Sequence, residues 1–196
     1  MTAQTKGEQT RLNVIAASFE LFNRNGYTNT SMDDITRATG VKKGNLYFHF
    51  SSKEDLGVEV LDTARREYFS YLRSSLKSES PSENIKNLLE AVFRFHRKKN
   101  FEGGCIFGNI ALEMADLSDR LSGVVRGVLD EWVLLMEELL TAAENKGEIK
   151  LFVSPDVTAR HIVATIEGGI MMSRLSKKGR ELRECIDAVF AMLEIK

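Results

Sequence analysis

Between residues 40 and 53 the chain reads Gly40-Val41-Lys42-Lys43-Gly44-Asn45-Leu46-Tyr47-Phe48-His49-Phe50-Ser51-Ser52-Lys53, a stretch dense in groups that suit a polyanion. Leu46 and Phe50, four residues apart, can pack inward from a helix, which makes Lys43, Asn45, Tyr47 and His49 candidates for its outer surface. Lysine donates to guanine O6 and N7 or to phosphate, asparagine can bond adenine twice, and tyrosine and histidine donate to phosphate oxygens. Such a surface fits a DNA major groove. A bare helix–glycine–helix corner is equally at home inside an α-helical core, so the residue types, not the corner, carry this reading.

A second reactive position is Cys105, which follows Gly103-Gly104 at an expected helix start, with Arg97, Lys98 and Lys99 shortly before it. Helix N-termini and nearby cations favour a thiolate, the form that reacts with oxidants and electrophiles, whereas an inert buried cysteine is the alternative reading. Cys185, beside Glu184 and Asp187, has surroundings that disfavour a thiolate. His96 and His161 belong to no H-E-x-x-H spacing, and the two cysteines form no C-x-x-C, so neither a zinc site nor another cofactor is expected. No phosphate-cradling glycine loop, nucleophile elbow or hydrolytic triad can be read, and no enzyme is expected. The rival readings are a small all-α enzyme using His96 or His161, which would turn over a substrate, and a helical adaptor that binds protein.

The elements that must position these groups are helices. Ser80-Pro81-Ser82-Glu83 and Ser154-Pro155-Asp156 read as helix starts, with proline where its missing N–H costs nothing, and Ser51-Ser52-Lys53-Glu54 reads as a capping box. Leu12, Ile15, Ala16, Phe19 and Phe22 give the first helix an apolar face that Gly26 terminates. Thr30 or Ser31 caps a short helix with Asp33 and Asp34 in its first turn, and Gly40 supplies the corner that follows. The pattern predicts an all-α protein of about nine helices, near 8–25, 31–39, 43–50, 53–77, 81–99, 104–115, 118–146, 155–174 and 179–194. Residues 147–153 have a strand-like composition but are too few to make a sheet. With 196 residues, 43% hydrophobic and 28% charged, one or two globular domains are expected.

Overall charge is a near-neutral −1, yet residues 1–53 carry seven basic side chains against four acidic ones. A basic head on an acidic remainder is the asymmetry that attracts polyanions locally. The polar start of the chain lacks an apolar signal region, and Glu167 interrupts even the greasy stretch 162–172, so no membrane partner is expected, while two cysteines, too few for a disulfide framework, point to a reducing cytoplasm.

Thr30-Ser31-Met32-Asp33-Asp34-Ile35, the run from Gly40 to Phe50 and then Ser52-Lys53-Glu54-Asp55-Leu56 together resemble the DNA-binding domain of the TetR family of bacterial transcriptional repressors. Gly-x-x-x-Gly-x-x-Tyr-x-His-Phe followed by Ser-Lys-Glu is far more specific than a generic helix-turn-helix. Thr36 and Thr39 replace the family's usual alanines, and Lys42 stands where a small hydroxyl residue is usual, adding a cation. The resemblance implies that Thr30 or Ser31, Tyr47, His49 and Lys53 hold the phosphate backbone, while Lys42, Lys43 and Asn45 sit where bases can be read and Gly44 allows close approach. It implies a three-helix helix-turn-helix domain over 1–53 and a larger helical effector-binding and dimerisation domain over 54–196. Gly104-Cys105-Ile106-Phe107-Gly108-Asn109-Ile110-Ala111-Leu112-Glu113 is similar to a run found in one subset of that family.

The partners so implied are a double-stranded, near-palindromic operator, a second copy of the chain and a small-molecule or electrophile effector. Ile162, Val163, Ile166, Gly169, Ile170 and Met171 form a broad apolar surface, with Gly168-Gly169 permitting close approach, that faces either a partner or the chain's own core. Tyr71, Phe93, Phe107, Met114, Trp132 and Met136 are candidates to line an effector pocket, with Tyr68 and Phe95 alongside. His96, Asn109, Glu113 and Cys105 are the polar groups among them.

Overall fold

The structure is a computed structural model and describes residues 5–195; the ends of the two expected domains, residues 1–4 and 196, lie outside the described residues. Among these, nine helices and no strand are found: α1 (Lys6–Asn25), α2 (Met32–Thr39), α3 (Lys43–His49), α4 (Lys53–Arg73), α5 (Pro81–Lys98), α6 (Ile106–Met114), α7 (Asp119–Asn145), α8 (Pro155–Ser176) and α9 (Arg180–Met192). The segment 147–153 is irregular, as its length requires. The chain groups into two compact units, one comprising the residues up to Arg66 with Ile106–Arg126 and the other Glu67–Cys105 with Gly127–Lys196. This compactness does not follow the 53/54 division, because α6 and the start of α7 group with the head.

Local chemistry sets the helix limits in the first unit. Thr5 and Glu8 close a reciprocal capping box on α1, Ser31 and Asp34 do the same on α2, and Gly26 and Gly40 end those helices at φ 91° and 68°. The α4 box lies one residue later than expected. Ser52 Oγ accepts from Asp55 N at 3.0 Å, and Asp55, which also bonds Ser51 and Arg120, is held down to about 2. Thr36 and Thr39 turn their hydroxyls back onto the Asp33 and Ile35 carbonyls at 2.8 and 2.7 Å, which is how α2 accommodates them.

The core of this unit includes Val14, Ile15, Phe22, Ile35, Leu46, Phe50, Leu56 and Leu121. Leu12 and Ala16, expected inside, are exposed; the buried stripe of α1 is Val14, Ile15, Ser18, Phe22 and Asn23. Apolar residues occupy two neighbouring faces of α1, and packing selects the one carrying Val14.

In the second unit Ser80 caps α5 through Glu83 N at 3.2 Å, while Glu148 accepts from both Ser80 Oγ and Ser82 N at 2.8 Å, a carboxylate at the positive end of the helix. Ser154 does not cap α8; its hydroxyl is spent on Asp156 at 2.5 Å. α8 and α9 pack against each other. A Cβ at Gly169 would stand 3.1 Å from Cys185 and from the Leu182 backbone, so this glycine's close approach is to α9 of the same chain. Ile162, Val163, Ile166 and Ile170 are likewise buried within the chain. What α8 leaves uncovered is another stripe, Val157, His161, Ala164, Gly168, Met171 and Leu175, spaced at three and four residues with open space beside Gly168. Met171 is 54% and Leu175 79% exposed.

Candidate nucleic-acid interface

α2 and α3 meet at Gly40, whose left-handed backbone makes the corner without any side chain to accommodate. Leu46 and Phe50 are buried, as their spacing requires, which turns Lys42, Lys43, Gly44, Asn45 and Tyr47 outward and leaves His49 half-exposed. Lys43 is not idle there. Its Nζ donates to Asp33 Oδ1 at 2.8 Å across the corner, and that carboxylate raises the lysine's pKa. Ser31 is exposed at the start of α2 and donates to Asp34 Oδ2 at 2.6 Å.

Thr30 corrects the first of the paired expectations. It is 1% exposed, and its hydroxyl donates to Gly26 O at 2.8 Å, so it holds the α1–α2 corner and has no face to offer a phosphate. Lys53 is half-buried: its Nζ lies 4.3 Å over the Tyr27 ring and donates to Thr28 O at 3.3 Å, while burial lowers its pKa.

Phe48, not singled out in the sequence, is 82% exposed on the same helix, with its ring edge-on to His49 at 5.4 Å. The signal was available, since Phe48 lies about 160° around the helix from buried Leu46 at 3.6 residues per turn.

Several expected effector-pocket residues have other occupations. Glu113 on α6 accepts from Tyr27 N at 3.2 Å and Thr28 N at 2.9 Å, tying α6 to the α1–α2 corner. Beside it Asn109 Nδ2 donates to Asn23 Oδ1 at 2.8 Å. Phe107 and Met114 are buried in this first unit, and Thr28 Oγ1 approaches Met114 Sδ at 4.0 Å. Tyr71, Phe93, His96, Cys105, Trp132 and Met136 belong to the second unit. There Phe93 lies 4.1 Å beneath the Arg183 guanidinium, itself bidentate to Glu90 at 2.5 and 2.9 Å. Met136 is fully buried, and Tyr71 donates to Ala91 O at 3.2 Å on a surface depression shared with Arg94 and Lys98.

The polar centre of the second unit is Cys105 with Glu167, Tyr68 and Trp132. The thiol is hydrogen-bonded to the Glu167 carboxyl, whose pKa burial raises. The Trp132 indole bonds the Tyr68 hydroxyl, and burial, with Cys105 and Glu167 nearby, raises that phenol well above its usual value. Tyr68 also meets Phe95 edge-on at 4.8 Å. Glu167 was visible in sequence only as the one charge in a greasy stretch. Burial and Glu184 push Cys185 up, in keeping with its acidic neighbours. Among the described residues no cluster of three metal-ligating side chains occurs, and no helix is long and apolar enough to cross a membrane.

Two family models match: "Bacterial regulatory proteins, tetR family" over residues 14–60 and "Tetracyclin repressor-like, C-terminal domain" over residues 81–189. The chain is similar to the HTH-type transcriptional repressor DhaR of Mycobacterium sp. (strain GP1), 27% identical over 93% of this chain and 91% of that protein. It is 29% identical to the transcriptional regulator AcuR of Cereibacter sphaeroides, over 83% and 75% of the two chains. A crystal structure of a TetR transcriptional regulator from Chloroflexus aurantiacus superposes with a TM-score of 0.88 at 31% identity, covering 96% of each chain.

Proposed function

Because this chain belongs to the TetR family of bacterial transcriptional regulators, DNA-binding proteins and not enzymes, we propose that it is a ligand-responsive repressor that binds a near-palindromic operator as a homodimer and is released by a small-molecule or electrophile effector. The observation that carries the DNA half of this reading is the outward face of α3, where Lys42, Gly44, Asn45 and Tyr47 stand exposed around an inward Leu46. In this reading Lys42, Lys43 and Asn45 meet base edges, Ser31, Tyr47, His49 and Lys53 meet phosphates, and Gly44 lets the backbone approach. Residues 1–53 then act as the DNA-binding domain and 54–196 as the effector and dimerisation domain, in the cytoplasm.

The test is titration of the chain's own upstream DNA at several salt concentrations. Binding whose logarithm falls linearly with log salt, and which an unrelated sequence does not share at equal affinity, supports the reading. Turnover of a substrate without such binding would return the protein to the enzyme class. Dimer symmetry sets the recognition helices about 34–36 Å apart, one turn of DNA, in the simplest operator.

Support for the dimer comes from the uncovered α8 stripe, an apolar surface of the kind that partners cover. Leu175→Glu combined with Met171→Glu is expected to convert the dimer to monomer by sedimentation and to abolish high-affinity binding of a full palindrome. Both side chains are exposed, so helicity and melting of the monomer should be retained. Ile166 is unsuitable for this test, since it lies in the chain's own core. A double variant that remains dimeric would remove this stripe from the interface.

For the effector, support comes from the cluster of Cys105, Glu167, Tyr68 and Trp132, which offers hydrogen-bonding groups among aromatic walls. An effector that favours a conformation with the recognition helices at the wrong separation, transmitted along α4 from Lys53, competes with the operator by linkage. Each ligand then weakens the other by the same factor. Release by an electrophile that persists in Cys105→Ser would leave reversible binding as the signal.

A further inference from the structure

The outward face of α3 is centred not on its lysines but on Phe48. At 3.6 residues per turn Phe48 stands about 160° from buried Leu46, on the side of the helix that points directly away from the core. One turn before it come Gly44, with nothing within 4 Å of where its Cβ would be, and exposed Asn45. The ring is therefore unobstructed along the helix and 82% exposed, with the His49 imidazole edge-on to it at 5.4 Å. Lys42 and Lys43 at the start of α3 supply the positive charge that draws this face toward DNA.

A hydrocarbon ring at the point of closest approach to a major groove gains little from phosphates or from the polar edges of guanine, cytosine and adenine. The thymine 5-methyl is the one apolar group that a base presents there. We propose that Phe48 is a specificity-determining residue that packs against a thymine methyl in each operator half-site. This rests on the DNA-binding reading above and adds a base preference to it.

The experiment compares an operator carrying thymine with operators in which one symmetric pair of thymines at a time is replaced by deoxyuridine, which removes the methyl and leaves every hydrogen bond in place. Affinities are measured by fluorescence anisotropy for the wild type and for Phe48→Ala, whose exposed position leaves the core intact. At one pair of positions the wild type should weaken about fourfold per half-site, the worth of one buried methyl group, while Phe48→Ala binds the two operators alike. If the wild type and Phe48→Ala respond identically to every thymine-to-uracil replacement while salt-sensitive operator binding persists, the thymine contact is wrong and the DNA-binding reading stands. If the wild type shows no salt-sensitive binding, both fall. A change of oligomeric state in Phe48→Ala would assign the ring to a protein interface and overturn the proposal.

Discussion

Glu113→Ala is expected to lower the free energy of unfolding by about 2–3 kcal/mol, because a carboxylate accepting two backbone N–H groups makes bonds of the stronger, charge-assisted kind. The donors are Tyr27 N and Thr28 N, in the corner that leads from α1 into α2. Gly26 lies against the same carboxylate: a Cβ there would stand 3.0 Å from Glu113 Oε1, so a larger residue would press on this bond. The same corner carries the carbonyl to which Lys53 donates, so its loosening should also weaken DNA binding. Glu113→Gln keeps one carbonyl acceptor without the charge and should recover part of the loss. Urea denaturation at neutral pH reads the effect, and stability within about 0.5 kcal/mol of wild type, the range of an ordinary surface substitution, would show that the corner holds without α6.

His96 governs the second large effect, a loss of stability in mild acid. Its ring is buried against Phe95, and burial, reinforced by the Lys99 ammonium, pushes the imidazole down to about 4. An unfolded histidine titrates near 6.5. Above that value both states are neutral and the residue costs nothing. As pH falls from 6.5 toward 4 the unfolded chain takes up the proton and the folded one does not, so stability drops by about 1.4 kcal/mol per pH unit, or about 2 kcal/mol by pH 5. His96→Leu removes this term while leaving the carboxylates to their own titrations. The stability difference between wild type and variant, at one protein concentration, should therefore move by about 2 kcal/mol in the variant's favour between pH 7.5 and 5. A difference that does not change with pH would mean that the folded state protonates His96 as readily as the unfolded one.

The head of the molecule was legible because its determinants are local. Caps such as Ser31 with Asp34, glycine stops such as Gly26 and Gly40, and the inward pair Leu46 and Phe50 act within a few residues of themselves. What the sequence could not settle depends on partners far along the chain. Glu113 reads as a candidate pocket carboxylate until its acceptors are found bonded to residues more than 80 positions earlier. Thr30 and Ser31 are both hydroxyls at a helix start, and only the fold turns one inward. On α8 the pattern marks an apolar surface correctly but cannot divide it between α9 and the uncovered stripe, because isoleucine and methionine suit either side. Phe48 escapes a sequence reading for the opposite reason: a hydrocarbon side chain carries no hydrogen-bonding group to mark it as a contact.

The pairing of Lys43 with Asp33 has a consequence for how such a protein finds its target in a genome. A carboxylate tethered 2.8 Å away acts as a resident anion whose effective concentration is on the order of millimolar or above. If Lys43 meets DNA as proposed, a phosphate or a guanine edge has first to displace that carboxylate, at a cost of about 0–1 kcal/mol for a pair so exposed. With roughly 10⁶–10⁹ wrong sites for each right one, occupancy of the operator depends on the ratio of the two affinities rather than on either alone. In that reading the Asp33 carboxylate subtracts from whatever Lys43 gains at every site, and only a contact that repays the displacement would keep the protein there.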